Sequence, residues 1–288
     1  VVVLSVDRIA CDGASLSIIR SEFCKHYLTI LGGSLPTGLP TDESSATRAI
    51  DQIALLRSTR LSSAIVHWAE IWKRFAGFRI GVQDLPAVPV AVQNDIGRSV
   101  NVRLDSKFVA RIRDLGARSE VSLNTIFLGA YFVALAKRVQ RNVVAIRVPF
   151  ANRHSISDVA CIDNLSNEHL VSADLSEKRS VVEFVRNLQR EMLSHSMHQA
   201  LPLPWLWRVL GWHPRVPDLG FMFQTVTRRE ERQGVPSDAA RFEYHHLAPR
   251  PSRGTPAVWV TTTLSAADAE LTASYSPIRW LCPPPMRT

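Results

Sequence analysis

The side chains best placed to do chemistry gather at the start of the chain, in Val1-Val2-Val3-Leu4-Ser5-Val6-Asp7-Arg8-Ile9-Ala10-Cys11-Asp12-Gly13-Ala14-Ser15-Leu16. A β-branched apolar run leads into Asp7 and Arg8, and Asp12-Gly13 follows before an apolar pattern of helical spacing. Val1–Val6 is expected to be a buried strand, because nearly every position is apolar on both faces. Asp12-Gly13 reads as a turn, since Gly tolerates positive φ and Asp can hydrogen-bond its own backbone. Asp12 or Ser15 is expected to cap the helix that starts there. A carboxylate at a buried turn must be paired or protonated, so Asp12 calls for a cationic partner elsewhere.

Other reactive patterns are excluded. Asp163, Glu168 and Asp174 do not share the spacing of a metal site on one helix or in one calcium loop. There is no Gly-rich phosphate loop, and no serine sits in Gly-x-Ser-x-Gly. Cys11, Cys24, Cys161 and Cys282 form no Cys-x-x-Cys pair, which argues against zinc and a disulfide scaffold and suits a reducing cytoplasm.

The elements that must hold these residues follow from pattern. The 288 residues, 46% apolar, can bury a sizeable core in one or two domains. No run of 18 or more apolar residues occurs, so no membrane partner is expected. The start has neither a basic n-region nor a small-residue cleavage site, and it opens in mid-strand without methionine, which suggests a fragment. The formal net charge is +8, but the arginines are scattered, so no nucleic-acid partner is expected.

Helical spacing runs over Leu16–Leu31, stopped by Gly32-Gly33, and again over Ser44–Phe75 with a break near Ser58–Ser63. Trp68, Trp72 and Phe75 share one apolar face of that second segment, and His67 beside them reads as packing. Gly77–Val92, rich in Val and Pro, reads as a linker. Beyond it a strand is predicted over Ser99–Leu104, helices over Ser106–Leu115 and Ser122–Val139, and a strand over Val143–Pro149. This alternation predicts an α/β sandwich.

The chain resembles the condensation domains of non-ribosomal peptide synthetases, members of the chloramphenicol-acetyltransferase-like acyltransferases. Aligned on Asp12-Gly13, the family motif His-His-x-x-x-Asp-Gly becomes Asp7-Arg8-Ile9-Ala10-Cys11-Asp12-Gly13, with Arg8 in the place of the catalytic histidine. Further boxes follow in family order: Pro149-Phe150-Ala151-Asn152-Arg153, Ile162-Asp163-Asn164-Leu165-Ser166-Asn167, His198-Gln199-Ala200-Leu201-Pro202 and the strand Val216–Gln224. Ile65–Ile71 loosely resembles the family's Tyr-x-Asp-Phe-Ala-x-Trp box. His245-His246 is a decoy, since Leu247-Ala248-Pro249 follows in place of Asp-Gly. The resemblance runs from Val1 to about Pro277. The family's preceding hundred or so residues and its closing helix have no counterpart; Pro283-Pro284-Pro285 cannot be helical.

The resemblance implies a two-subdomain fold with an incomplete N-terminal subdomain over residues 1–85 and the C-terminal subdomain over residues 86–288. It implies amide or ester formation between donor and acceptor, each carried on the phosphopantetheine arm of a carrier protein, with adjoining synthetase domains as further partners and no cofactor bound directly. Asp12 matches a structural residue that pairs with an arginine, Arg153 or Arg147 here, and Asn167 matches a residue near the tunnel between subdomains. Arg8 can steady an oxyanion but cannot act as a base, because its guanidinium stays protonated and has no acceptor. Three outcomes stay open at this level: an enzyme with altered chemistry, a docking module, or a decayed partial copy.

Overall fold

The computed structural model describes residues 4–7, 9–34, 44–75, 98–177, 179–210, 219–225, 258–264 and 269–275. Three helices come first: α1 (Gly13–Leu31), α2 (Ser44–Leu55) and α3 (Thr59–Phe75). There follow β1 (Arg98–Leu104), α4 (Ser106–Ser119), α5 (Leu123–Val139), β2 (Val143–Phe150), α6 (Ile156–Ala160), β3 (Asn167–Asp174), α7 (Val181–Ser196) and α8 (Leu203–Val209). The strands β4 (Leu219–Thr225), β5 (Val258–Leu264) and β6 (Ala269–Tyr275) complete the described elements.

Among the described residues one six-stranded sheet forms, in the order β1-β6-β5-β4-β2-β3. β4 runs parallel to both β2 and β5, and the other pairs are antiparallel. β2 is buried along most of its length, which its Val/Ile-rich sequence requires. Val144, Ile146, Val148 and Phe150 join the main core with Phe127, Leu128 and Phe132 of α5, Leu188 and Met192 of α7, and Phe221 of β4. Ala145 belongs to a second cluster with Ala64, Trp68 and Ile71 of α3 and Leu203 and Leu206 of α8.

Helix ends follow local chemistry. Asp105 and Ser122 cap α4 and α5. Ser180 and Glu183 form a reciprocal capping box on α7. Gly33, at φ +76°, takes the left-handed conformation just after α1, where a Cβ would be strained. The break between α2 and α3 falls slightly ahead of the predicted one, at residues 56–58.

Two expectations are corrected. Leu4–Val6, the described part of the predicted first strand, lies outside the sheet, and Leu4 is 60% exposed. An apolar run becomes a strand only where a neighbour offers its N–H and C=O groups, and no described strand lies beside it. Gly13 does not make a left-handed turn. It opens α1 without a positive φ, and an added Cβ would meet nothing within 4 Å. The proposed linker at Gly77–Val92, the loop after Ser34, the histidine pair His245-His246 and the proline-rich end lie outside the described residues.

Candidate functional site

Among the described residues, the carboxylate of Asp12 is densely hydrogen-bonded. Extended backbone at Asp12 (φ −99°, ψ −175°) makes it the N-cap of α1, and Oδ1 accepts from Ser15 N at 2.9 Å. Oδ2 accepts from Leu165 N at 3.2 Å, and the Asp12 N–H donates to Asp163 O at 3.3 Å. Arg153 Nη2 donates to Asp12 Oδ1 at 2.7 Å and to Ser15 Oγ at 2.9 Å. The Arg153 and Asp12 side chains are 6% and 4% exposed. Burial alone would raise the Asp12 pKa. The Ser15 N–H and the Arg153 guanidinium outweigh it and hold the carboxyl below its ordinary value.

Ser15 completes this knot. Its Oγ is 2.7 Å from Asp163 O and accepts from Asp163 N at 3.0 Å. The first turn of α1 is thereby fastened to the segment before β3, 148 residues away in sequence. The other fork of Arg153 reaches backward: Nη1 donates to Cys161 O at 2.9 Å and to Asp158 O.

Asp158 carries a second fastening. Its Oδ2 accepts from His154 N and Ser155 N, both at 2.7 Å, capping α6, and its Oδ1 pairs with Arg48 of α2. Burial opposes ionisation here too, but the Ser155 and His154 N–H groups and Arg48 bring its pKa down to about 2. Two Arg–Asp pairs, Arg153–Asp12 buried and Arg48–Asp158 partly buried, therefore join α1 and α2 to the segment between β2 and β3.

Of the two arginines considered for Asp12, Arg153 takes it. Arg147 pairs with Glu168 across β2 and β3, because a side chain on a strand reaches the neighbouring strand before a distant turn. Arg8 lies outside the described residues. Asp7 just before it turns the chain: its Oδ1 accepts from Ile9 N at 2.9 Å and its backbone O from Ala10 N at 3.0 Å. Asn167 opens β3, and its Nδ2 donates to Gln199 O at 2.6 Å.

Gln199 was not singled out by sequence as a functional side chain, yet it is buried and bonds both the residue Asn152 just after β2 and the start of β3. Its Oε1 accepts from the N–H of Asn152, which holds φ 51°, at 3.1 Å. Its backbone O also meets His169 Nε2 at 3.0 Å. Replacing Gln199 by Ala leaves the Asn152 N–H without its acceptor and should cost about 1–3 kcal/mol, measured by urea unfolding. Replacing Asn167 by Ala should leave that acceptor in place and give a separable effect.

The sequence profile described as "Condensation domain" matches residues 1–244. The chain belongs to the condensation domain family. It is 22% identical over 231 residues to surfactin synthase subunit 1 of Bacillus subtilis (strain 168), covering 78% of this chain and 6% of that protein. The first condensation domain of the calcium-dependent antibiotic synthetase, solved with a substrate analogue, superposes with a TM-score of 0.71 and 12% identity. That match covers 95% of this chain and 58% of the solved one. The X-domain from teicoplanin biosynthesis gives 0.73 at 18% identity, covering 94% and 62%. The chain thus spans a small part of the curated relatives and about three-fifths of the solved domains. The fold is the condensation-domain, chloramphenicol-acetyltransferase-like α/β fold.

The geometry of the Asp12 knot suits fastening rather than acid–base chemistry. Asp12 is held ionised and is saturated with donors, and neither guanidinium can release a proton near neutral pH. What the knot can do is fix the path of the chain just after position 8. Among the described residues, no group of three or more His, Cys, Asp or Glu side chains is arranged to hold a metal ion.

Proposed function

We propose that the chain is a condensation-domain component of non-ribosomal peptide synthesis, related to domains that join a carrier-bound acyl donor to a carrier-bound acceptor through an amide or ester bond. The observation that carries this is the family match over residues 1–244, together with the paired Asp12 at the end of the motif segment. The partners are acyl or peptidyl carrier proteins and adjoining synthetase domains. The group that enters the site is the phosphopantetheine arm of the partner, and the chain itself supplies no bound cofactor. We place the protein in the cytoplasm, where such carriers are loaded; no single described helix is long and apolar enough to cross a membrane. The division into an incomplete N-terminal subdomain (1–85) and a C-terminal subdomain (86–288) is part of the same proposal.

The bond-forming step is impaired in this reading. General base catalysis needs an acceptor lone pair on a group titrating near the working pH. Arg8 stands where the family places its histidine and has no such lone pair. It retains the capacity to steady negative charge on a tetrahedral oxygen. A second reading, a docking module, draws on the likeness to the teicoplanin X-domain, which has also been solved in complex with OxyB. A decayed partial copy is the third.

Binding tests the carrier part of the proposal directly. Isothermal titration of the chain, within its intact synthetase, with an acylated carrier protein should show saturable association. Association should weaken when the carrier lacks its phosphopantetheine arm. No association with either carrier form would overturn the carrier reading.

A further inference from the structure

A group of histidines lies apart from the Asp12 knot and plays no part in the proposed reaction. Trp68 of α3, 1% exposed, stacks on His169 of β3 with ring centroids 4.2 Å apart and planes inclined by 11°. His195 of α7 lies 5.0 Å from the same indole, and the Trp68 Nε1–H donates to His198 O at 3.0 Å. His67, next on α3, stacks on the His198 ring at 4.3 Å, and its Nε2 meets His195 Nδ1 at 3.0 Å. Three imidazoles, from α3, β3 and α7, thus surround one tryptophan, and His198 after α7 joins them through its carbonyl and its stacking on His67. His169 and His195 are wholly buried.

The bond between His67 and His195 requires at least one neutral ring. Between His67 Nε2 and His195 Nδ1 one nitrogen must donate and the other accept, so the contact breaks when both rings carry two protons. His169 uses one nitrogen on Gln199 O, and its Nδ1 is buried without a hydrogen-bond partner among the described residues. A second proton on His169 would therefore be an unpaired buried donor.

Among the described residues, two charged groups face the cluster. From α3 comes Arg74, whose positive charge disfavours protonation of His67 and His195. From α7 comes Glu191, whose Oε1 lies 3.7 Å from His195 Nε2. Burial raises the Glu191 carboxyl above its ordinary pKa, against the pull of Arg74 and a bond with Ser172.

We propose that the histidines around Trp68 form a proton-sensitive latch, which holds α3 against β3 and α7 near neutral pH and releases it on acidification.

The direction follows from burial. Desolvation, reinforced by His198 and Arg74, lowers His67 to about 4. Desolvation first, then neighbouring His67, lowers His169 to about 4 against the Gln199 bond. His195 falls to about 3 for the same leading cause, with His67, His169, Arg74 and His198 adding to it. A released ring titrates near about 6.5. The released state therefore binds more protons between about pH 6.5 and about pH 4, so docking is complete above that window and weakens as pH falls through it. Each such ring shifts the docked-to-released ratio by up to about tenfold per pH unit, and Glu191 offsets part of this. The Asp12 and Asp158 fastenings, whose carboxyl pKa values are lowered, hold through this window and weaken only below it.

Amide hydrogen exchange on the whole chain, corrected for intrinsic exchange rates, tests the latch. Peptides from α3 should lose protection by about tenfold or more per pH unit between about pH 6 and about pH 4.5, while those from α5 keep theirs. His67→Gln, at a half-buried position, should flatten that dependence. His26→Gln on α1, outside the cluster, should leave it unchanged. Flat α3 protection across the window overturns the proposal, as does simultaneous loss from α3 and α5. An unchanged slope in folded His67→Gln also overturns it, and if that variant does not fold the wild-type profile alone decides.

Discussion

Replacing Arg153 by methionine should lower the stability of the chain by about 3–5 kcal/mol, because it strips the counter-charge from a carboxylate that stays buried. Asp12 is bonded to Ser15 N and Leu165 N, and only Arg153 in this knot brings a positive charge. The Arg153→Met midpoint in urea should therefore fall well below that of a surface arginine variant such as Arg118→Met, whose ion pair with Asp114 is exposed. Adding Asp12→Asn to Arg153→Met should cost less than the sum of the two single changes, since the double variant leaves no unpaired charge. A cost below about 1 kcal/mol for Arg153→Met would place the pair among ordinary surface contacts. The pH dependence has a fixed sign. With its pKa lowered in the fold, Asp12 contributes stability that is present above about pH 3.9 and is lost as pH falls through the folded value.

How much of this was written in the sequence depends on the range of the interaction. The helix over Leu123–Val139 and the strand over Val143–Phe150 were legible because apolar period and local caps decide them. A cap at the start of α1 was legible for the same reason, with Asp12 and Ser15 both open, and Asp12 takes it. Its arginine, 141 residues away, was reached only through resemblance, which left Arg147 open until the strand pairing assigned that side chain to Glu168. The first strand was misjudged because β-branched residues report a preference, not the presence of a neighbour. Gly13 was misread because the chain reverses through the side-chain bonds of Asp12 rather than through a left-handed glycine.

The histidine group was invisible for a different reason. His67, His169, His195 and His198 stand on separate elements, and nothing in the spacing of His67 and His195 foretells a contact of 3.0 Å. The adjacent Trp68, read as packing, was the one local signal, and packing is its role in the second core cluster. The Arg48–Asp158 pair was missed likewise, since an arginine on an amphipathic helix ordinarily faces solvent.

If Arg8 deprives the condensation-domain site of its general base, an imidazole at this position should restore it. Single-turnover amide formation between carrier-bound donor and acceptor should be compared for the natural protein and Arg8→His, each within the intact synthetase. Restoring an imidazole at this position should raise the rate by about 10²- to 10⁴-fold. Equal turnover by the two forms would contradict the account, because the base would then lie elsewhere or be unnecessary, and equal inactivity would point instead to a docking role.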